Sequence, residues 1–195
     1  RRQRQMCIRD RYNMFIAEHE ARAVDFFGRA MDYATLRNYP AAIADLDRAI
    51  ALTPDFALAY FQRGVARAEE AAASGSSQES GASNSSPLLG GVQGTPAALD
   101  LRMAISDFDQ AAKLSPQLAF AHYNKANALV QLGDLTSALS AYRRAIEIKP
   151  DFGEAYYNLA YVYFQLGNRA EGSANLSKAG ELGVVPSYNL LKRMH

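Results

Sequence analysis

The 195-residue chain has no tryptophan, a single cysteine, three histidines and seven prolines. Nowhere does it run about eighteen apolar residues together, the least that a membrane-crossing helix needs. Each shortage removes a class of function. One thiol, Cys7, forms neither an internal disulfide nor a zinc-thiolate cluster. His19, His122 and His195 are too scattered along the sequence to suggest a metal site or an acid-base pair. No phosphate-binding loop, nucleophile elbow or glycine-rich dinucleotide turn is present. The scarcity of cysteine leaves the compartment open, because it suits a reducing cytoplasm and an oxidising envelope alike.

The most conspicuous thing present is the opening, RRQRQMCIRD, which puts five arginines within eleven residues. Charge alone would let such a run bind phosphate. A targeting peptide would need an apolar core, and none follows. Back-translated as CGT CGG CAG CGT CAG ATG TGT ATA AGA GAC, the stretch resembles one frame of a transposase-type sequencing adapter, whose final AG would begin the codon of Arg11. Residues 1–11 therefore read as a non-native segment, and the natural sequence is expected to start near Tyr12, with residues 12–22 the remnant of an upstream helix. Arg1, Arg2, Arg4, Arg9 and Arg11 against Asp10 give the segment a net +4, which leaves about −3 for the remainder of a chain whose total is +1. The compositional case for a nucleic-acid partner goes with it, and so does the only cysteine.

The remainder is repetitive. Three stretches align on a proline: AAIADLDRAIALTPDFALAY, MAISDFDQAAKLSPQLAFAH and ALSAYRRAIEIKPDFGEAYY. Pro116 and Pro150 lie 34 residues apart, whereas Pro54 and Pro116 are separated by 62, or 34 plus an insertion of 28. The pattern of large, small and aromatic residues in a first helix, then small, aromatic, small and a closing proline in a second, resembles the tetratricopeptide repeat. Phe26, Ala30, Tyr33, Ala42, Leu46, Ala49 and Pro54 carry it in residues 23–56. Tyr60, Gly64, Ala104, Phe108, Ala111 and Pro116 carry it in 57–118. His122, Ala126, Leu129, Ala138, Tyr142, Ala145 and Pro150 carry it in 119–152. In 153–186 Tyr156, Ala160, Tyr163, Gly172, Leu176 and Ala179 continue it, and Val184 then stands where proline is expected.

The resemblance implies an all-α, right-handed α-solenoid of four helix-turn-helix units over residues 23–186, with 187–195 as a C-terminal capping helix. Elementary chemistry agrees. Small residues at the crossings let paired helices approach, apolar residues recur at three and four, and prolines sit just past helix ends. Pro40 and Pro96 are expected at the first position of second helices, with Asp134 and Asn168 after stop glycines. Within the second unit, residues 74–95 hold seven serines and five glycines and read as a flexible loop, with Leu88 and Leu89 its one apolar spot. The final LSKAGELG…YNLLKR also resembles the C-terminus of a group of bacterial repeat proteins.

Chemistry is thin. Asp45 with Asp47, and Asp107 with Asp109, suggest paired carboxylates, but residues two apart diverge by about 200° around a helix, so one of each pair should face water. What the repeat family implies instead is a concave groove lined by first helices. The positions that match it are Phe27, Phe61, Gln62, Tyr123, Asn124, Asn127, Tyr157, Asn158, Tyr161 and Phe164. Rings there supply rigid contact area, and Gln62, Asn124 and Asn158 form a three-rung series of amides suited to an extended peptide backbone. The clamp that some relatives use for chaperone C-termini needs cations that are missing, since Phe61, Val65 and Glu154 occupy their places.

The expected function is a protein-protein interaction module, part of a larger bacterial protein, binding a peptide segment in its groove. It would have no enzyme activity, cofactor, metal or small-molecule substrate, and no nucleic-acid partner. The alternative is a spacer or assembly arm with no groove ligand.

Overall fold

The computed structural model describes Tyr12, residues 21–76, residues 95–185 and Ser187. Among these residues there are eight α-helices and no strand: α1 (Ala23–Thr35), α2 (Tyr39–Leu52), α3 (Ala57–Ser76), α4 (Pro96–Leu114), α5 (Ala119–Gln131), α6 (Leu135–Ile148), α7 (Gly153–Gln165) and α8 (Arg169–Glu181). Contacts divide them into two units, parted between Leu114 and Ser115. The first holds the hairpins α1–α2 and α3–α4, with α2 packed on α3. The second holds α5–α6 and α7–α8, with α6 packed on α7. The proposed segment 1–11, the histidines His19 and His195, the loop leucines Leu88 and Leu89, and nearly all of the expected capping helix lie outside the described residues.

The turns within hairpins follow one recipe. Gly133 and Gly167 take φ of 80° and 79°, a left-handed conformation that a side chain disfavours. It lets the next residue's N–H reach back to a carbonyl five residues earlier: Asp134 to Leu129 and Asn168 to Tyr163, both at 2.9 Å. That same polar residue then caps the following helix. Asp134 accepts from the Ser137 N–H at 3.1 Å and Asn168 from the Glu171 N–H at 3.3 Å. Hydrogen bonds from Ser137 hold the Asp134 carboxyl below its usual range. In the first hairpin Asn38 does the same work, bonding back to Tyr33 and accepting from Ala41. The residue before it, however, is Arg37, held at φ 58°. With Asn38 as the cap, α2 starts at Tyr39 and Pro40 comes second rather than first. Pro96 does open α4, where Thr95 caps by accepting from Ala98.

The crossings are as close as their small residues suggest. Ala30, Ala42, Ala104, Ala126, Ala138 and Ala160 are fully buried. A methyl group on Gly64 would lie 2.7 Å from the Phe108 ring and 3.1 Å from the Ala104 carbonyl, and one on Gly172 would lie 2.5 Å from the Phe164 ring. Larger side chains fill the space beside them: Leu46, Phe108, Tyr142, Val162 and Leu176 are essentially inaccessible. At the N-terminal end the Tyr12 side chain is seated over Gly28, where a methyl group would meet its hydroxyl at 2.5 Å.

The second hairpin departs from its siblings. Helices α3 and α4 run 20 and 19 residues, against 13 for each of the other first helices and 13 or 14 for the other second helices. The first helix continues into the serine-rich stretch as far as Ser76, with Ser74 Oγ bonded to the Glu70 and Ala71 carbonyls. Alanine and glutamate have high helix propensity, so EEAAAS prolongs α3, and burial of Ala71 and Ala98 packs the prolonged ends. Part of the expected loop is therefore helix; residues 77–94 lie outside the described residues.

Candidate functional site

In the second unit the first helices α5 and α7 are joined by a polar network. Asn158 donates through Nδ2 to the Tyr123 hydroxyl at 3.0 Å and to Asn127 Oδ1 at 3.1 Å, and Asn127 Oδ1 also accepts from the Tyr142 hydroxyl at 2.5 Å. Burial raises the Tyr142 phenol above its ordinary value, which keeps it a donor. Four side chains from three helices are thus locked in one arrangement. The two amides expected as equivalent rungs differ here. Asn158 is bound within the protein, whereas Asn124 has no hydrogen-bond partner among the described residues. The polar ends of Tyr157 and, in the first unit, Gln62 are likewise unpartnered among them. Tyr161 is half exposed, with its hydroxyl accepting from Gln165 Nε2.

The rings of the expected groove mostly have neighbours of their own. Phe27 lies 5.0 Å from Phe56, and Tyr123 lies 4.7 Å from Phe152, with almost equal tilts of 36° and 37°. Phe61 lies 6.0 Å from Phe108, and Phe164 covers Gly172 at the α7–α8 crossing. Phe56 and Phe152 were not singled out from the sequence. Both end the tripeptide Pro-Asp-Phe, at 54–56 and 150–152, and that recurrence was the available signal. Lys149 lies 5.3 Å over the Phe152 ring and 5.7 Å over Phe120, a position that favours a cation electrostatically.

The paired aspartates divide as expected, one of each facing water, and the structure adds what holds the other. The outer members, Asp47 and Asp109, do face solvent. The inner members do not: Asp45 and Asp107 are 5% and 3% exposed. Asp45 is held by Arg29 in a two-pronged pair, Nε to Oδ2 and Nη2 to Oδ1 at 2.6 Å each. The hydrogen bonds raise the Arg29 pKa further. Asp107 accepts from Arg63 Nη2 and Arg67 Nη1, each at 2.6 Å, and Arg63 Nη1 reaches Asp47 at 2.6 Å. A carboxylate at a helix crossing is tolerated because a guanidinium reaches it. The sequence signal was an arginine at the turn of the first helix facing each of these aspartates. This chemistry joins helices; it presents no acid-base pair to a substrate.

A family model described as TPR repeat matches residues 33–69 and 126–167, and another described as tetratricopeptide repeat matches residues 153–182. The chain is a tetratricopeptide-repeat protein. The stretch 70–125 that neither model covers contains the insertion. Among solved structures this tetratricopeptide protein is similar to MamA, at 22% identity and a TM-score of 0.69, over 88% of this chain and 84% of that one. It is also similar to residues 41 to the end of MamA from Desulfovibrio magneticus RS-1, at 16% identity and a TM-score of 0.66, over 85% and 78%. A third is TTC0263, a thermophilic TPR protein of Thermus thermophilus, at 18% identity and a TM-score of 0.66, over 92% and 84%. No curated protein matches by sequence. Likeness at these identities shows the fold, which is all-α of the tetratricopeptide-solenoid class. Its family supplies interaction scaffolds, and a protein-protein interaction scaffold is the role of this tetratricopeptide protein. Among the described residues no three histidine, cysteine, aspartate or glutamate side chains gather as metal ligands, and no helix is long and apolar enough to cross a membrane.

Proposed function

We propose that this tetratricopeptide protein holds an extended segment of a partner protein against the first helices of its repeats. The observation that supports the reading is the network of Asn158, Tyr123, Asn127 and Tyr142. It makes a rigid floor, beside which the Asn124 amide and the exposed Tyr161 ring stay available. Rigid rings and pre-placed amides lower the ordering cost of binding a peptide. A specific contact would bury about 800 Å² on each partner. In the first unit Gln62, Phe27 and Phe61 would offer a surface of the same kind.

The test separates the floor from the contacts. Peptides would be selected against the protein from a random library. Asn124→Ala combined with Tyr157→Ala and Tyr161→Ala should weaken the selected peptides by tenfold or more with helicity unchanged. Equal binding by the triple variant would refute the reading. The second reading, a spacer without a groove ligand, is favoured by the internal packing of Phe27, Phe61, Tyr123 and Phe164. It predicts that selection yields no peptide competing at these positions.

A further inference from the structure

A cleft of about 290 Å³ opens between α6, α7 and α8, on the side of α7 that carries Tyr156, Leu159 and Tyr163. At 100° per residue this side is turned about 150° from Tyr157 and Tyr161, so the cleft is separate from the surface proposed above. Its lining has counterparts in the first unit. The residue before the crossing residue is Arg29 beside Ala30, Arg63 beside Gly64 and Leu159 beside Ala160. Three residues before it come Phe26, Tyr60 and Tyr156. Three residues after the opposite crossing residue, Ala42, Ala104 or Gly172, come Asp45, Asp107 and Asn175.

In the first two repeats this place holds a guanidinium. The Arg29 carbon lies 5.7 Å over the Phe26 ring and the Arg63 carbon 5.3 Å over the Tyr60 ring, and each is bound to its aspartate. In the fourth repeat the ring and the polar group opposite remain, but Leu159 supplies no cation. Asn175 uses Nδ2 on the Glu171 carbonyl at 2.8 Å, which leaves Oδ1 to accept. The Glu171 carboxylate borders the cleft and has no partner among the described residues. Glu147 also borders it, bound at 3.0 Å to Arg144 in an exposed pair. The one cation in the lining, Arg143, is already engaged with the Tyr163 hydroxyl and lies 5.8 Å over that ring. Two carboxylates against one guanidinium give the lining a net negative charge.

We propose that this cleft binds an arginine side chain of a partner protein, its guanidinium stacked on Tyr156 and hydrogen-bonded to Glu171 and Asn175 Oδ1. The chain fills the same place twice with its own arginine, and the planar, weakly hydrated guanidinium suits a ring face beside a carboxylate.

The probe is N-acetyl-arginine methylamide, titrated into the isotope-labelled protein and followed by backbone amide NMR. Millimolar binding should shift Tyr156, Leu159, Glu171 and Asn175. The neutral citrulline analogue should shift them at least fivefold less at equal concentration. Glu171→Gln should weaken binding several-fold. Leu159→Arg combined with Asn175→Asp rebuilds the arrangement of the first two repeats and should abolish binding while the α7 and α8 signals stay helical. A variant that unfolds is replaced by Glu171→Lys, at an exposed lining position, which sets a like charge against the guanidinium and should abolish binding. The proposal is overturned if the citrulline analogue binds equally, if N-acetyl-glutamate methylamide binds better, if the folded rebuilt variant still binds, or if no shifts appear at these positions.

Discussion

Removal of Asp107 tests the buried ion pairs most severely. The Asp107 side chain is 4% exposed, and those of Arg63 and Arg67 are 16% and 12% exposed. Asp107→Ala would leave two guanidinium groups at the α3–α4 crossing, with the half-exposed Asp47 as the remaining carboxylate on Arg63. Breaking a buried pair from one side costs about 3–5 kcal/mol, because the stranded charge has lost its solvent as well as its partner. Removing all the charges is different. Arg63→Leu, Arg67→Leu and Asp107→Ala together introduce what later repeats carry at matching places, namely Leu159, Leu129 and Ala141. That triple variant should lie within about 1 kcal/mol of the parent, since apolar replacements of buried ion pairs are often neutral. Repeat arrays can open part by part, so the assay is amide hydrogen exchange in α3 and α4. At about 1.4 kcal/mol per tenfold, the single variant should exchange two to nearly four orders of magnitude faster, and the triple variant less than tenfold faster. A single variant within tenfold of the parent, or a triple variant as fast as the single, would refute the reasoning.

Three further outcomes follow from the geometry. Gly64→Ala should destabilise by about 1–3 kcal/mol, because the new methyl group meets the buried Phe108 ring and the Ala104 backbone; Gly172→Ala should be near neutral, because the half-buried Phe164 ring it meets can move. Comparison of the two chemical denaturation midpoints decides it. Arg37→Gly should stabilise the first hairpin by about 0.5–1 kcal/mol, the relief of a left-handed φ less the greater freedom of unfolded glycine; a lower midpoint would contradict it. Asp32 has one buried carboxylate oxygen without a partner, and burial raises its pKa above 3.8. Ionisation therefore costs the folded state, a penalty absent below pH 3.8 and incurred as pH rises through the raised value. Asp32→Ala, which copies the buried Ala66, Ala128 and Val162 of the other repeats, should stabilise the protein by about 1 kcal/mol at pH 7. Thermal melts should show that gain shrinking as pH falls through the raised value and gone below pH 3.8; a gain unchanged with pH would count against it.

Spacing and residue size determined the repeat without any tertiary information. Prolines 34 residues apart, alanine or glycine at the crossings, and glycine followed by Asp134 or Asn168 at the turns are local requirements of helix ends and close approach, so a linear reading finds them. The same local logic reached only half of the aspartate pairs. Periodicity shows that Asp45 and Asp47 point apart, but burial of Asp45 depends on Arg29 arriving from another helix 16 residues earlier. The candidate surface divides along the same line. Side-chain type nominated Asn124 and Asn158 as equals, and only packing tied Asn158 to Tyr123 and Asn127 while leaving Asn124 open. Phe56 and Phe152 stayed unnoticed because they lie in the connections between hairpins, where their role comes from rings supplied by first helices. What local chemistry dictates about the backbone is readable from the chain in order; which polar groups remain unpaired is settled only when distant helices meet, because hydrogen bonds and ion pairs depend on ångström-scale separations that sequence does not encode locally.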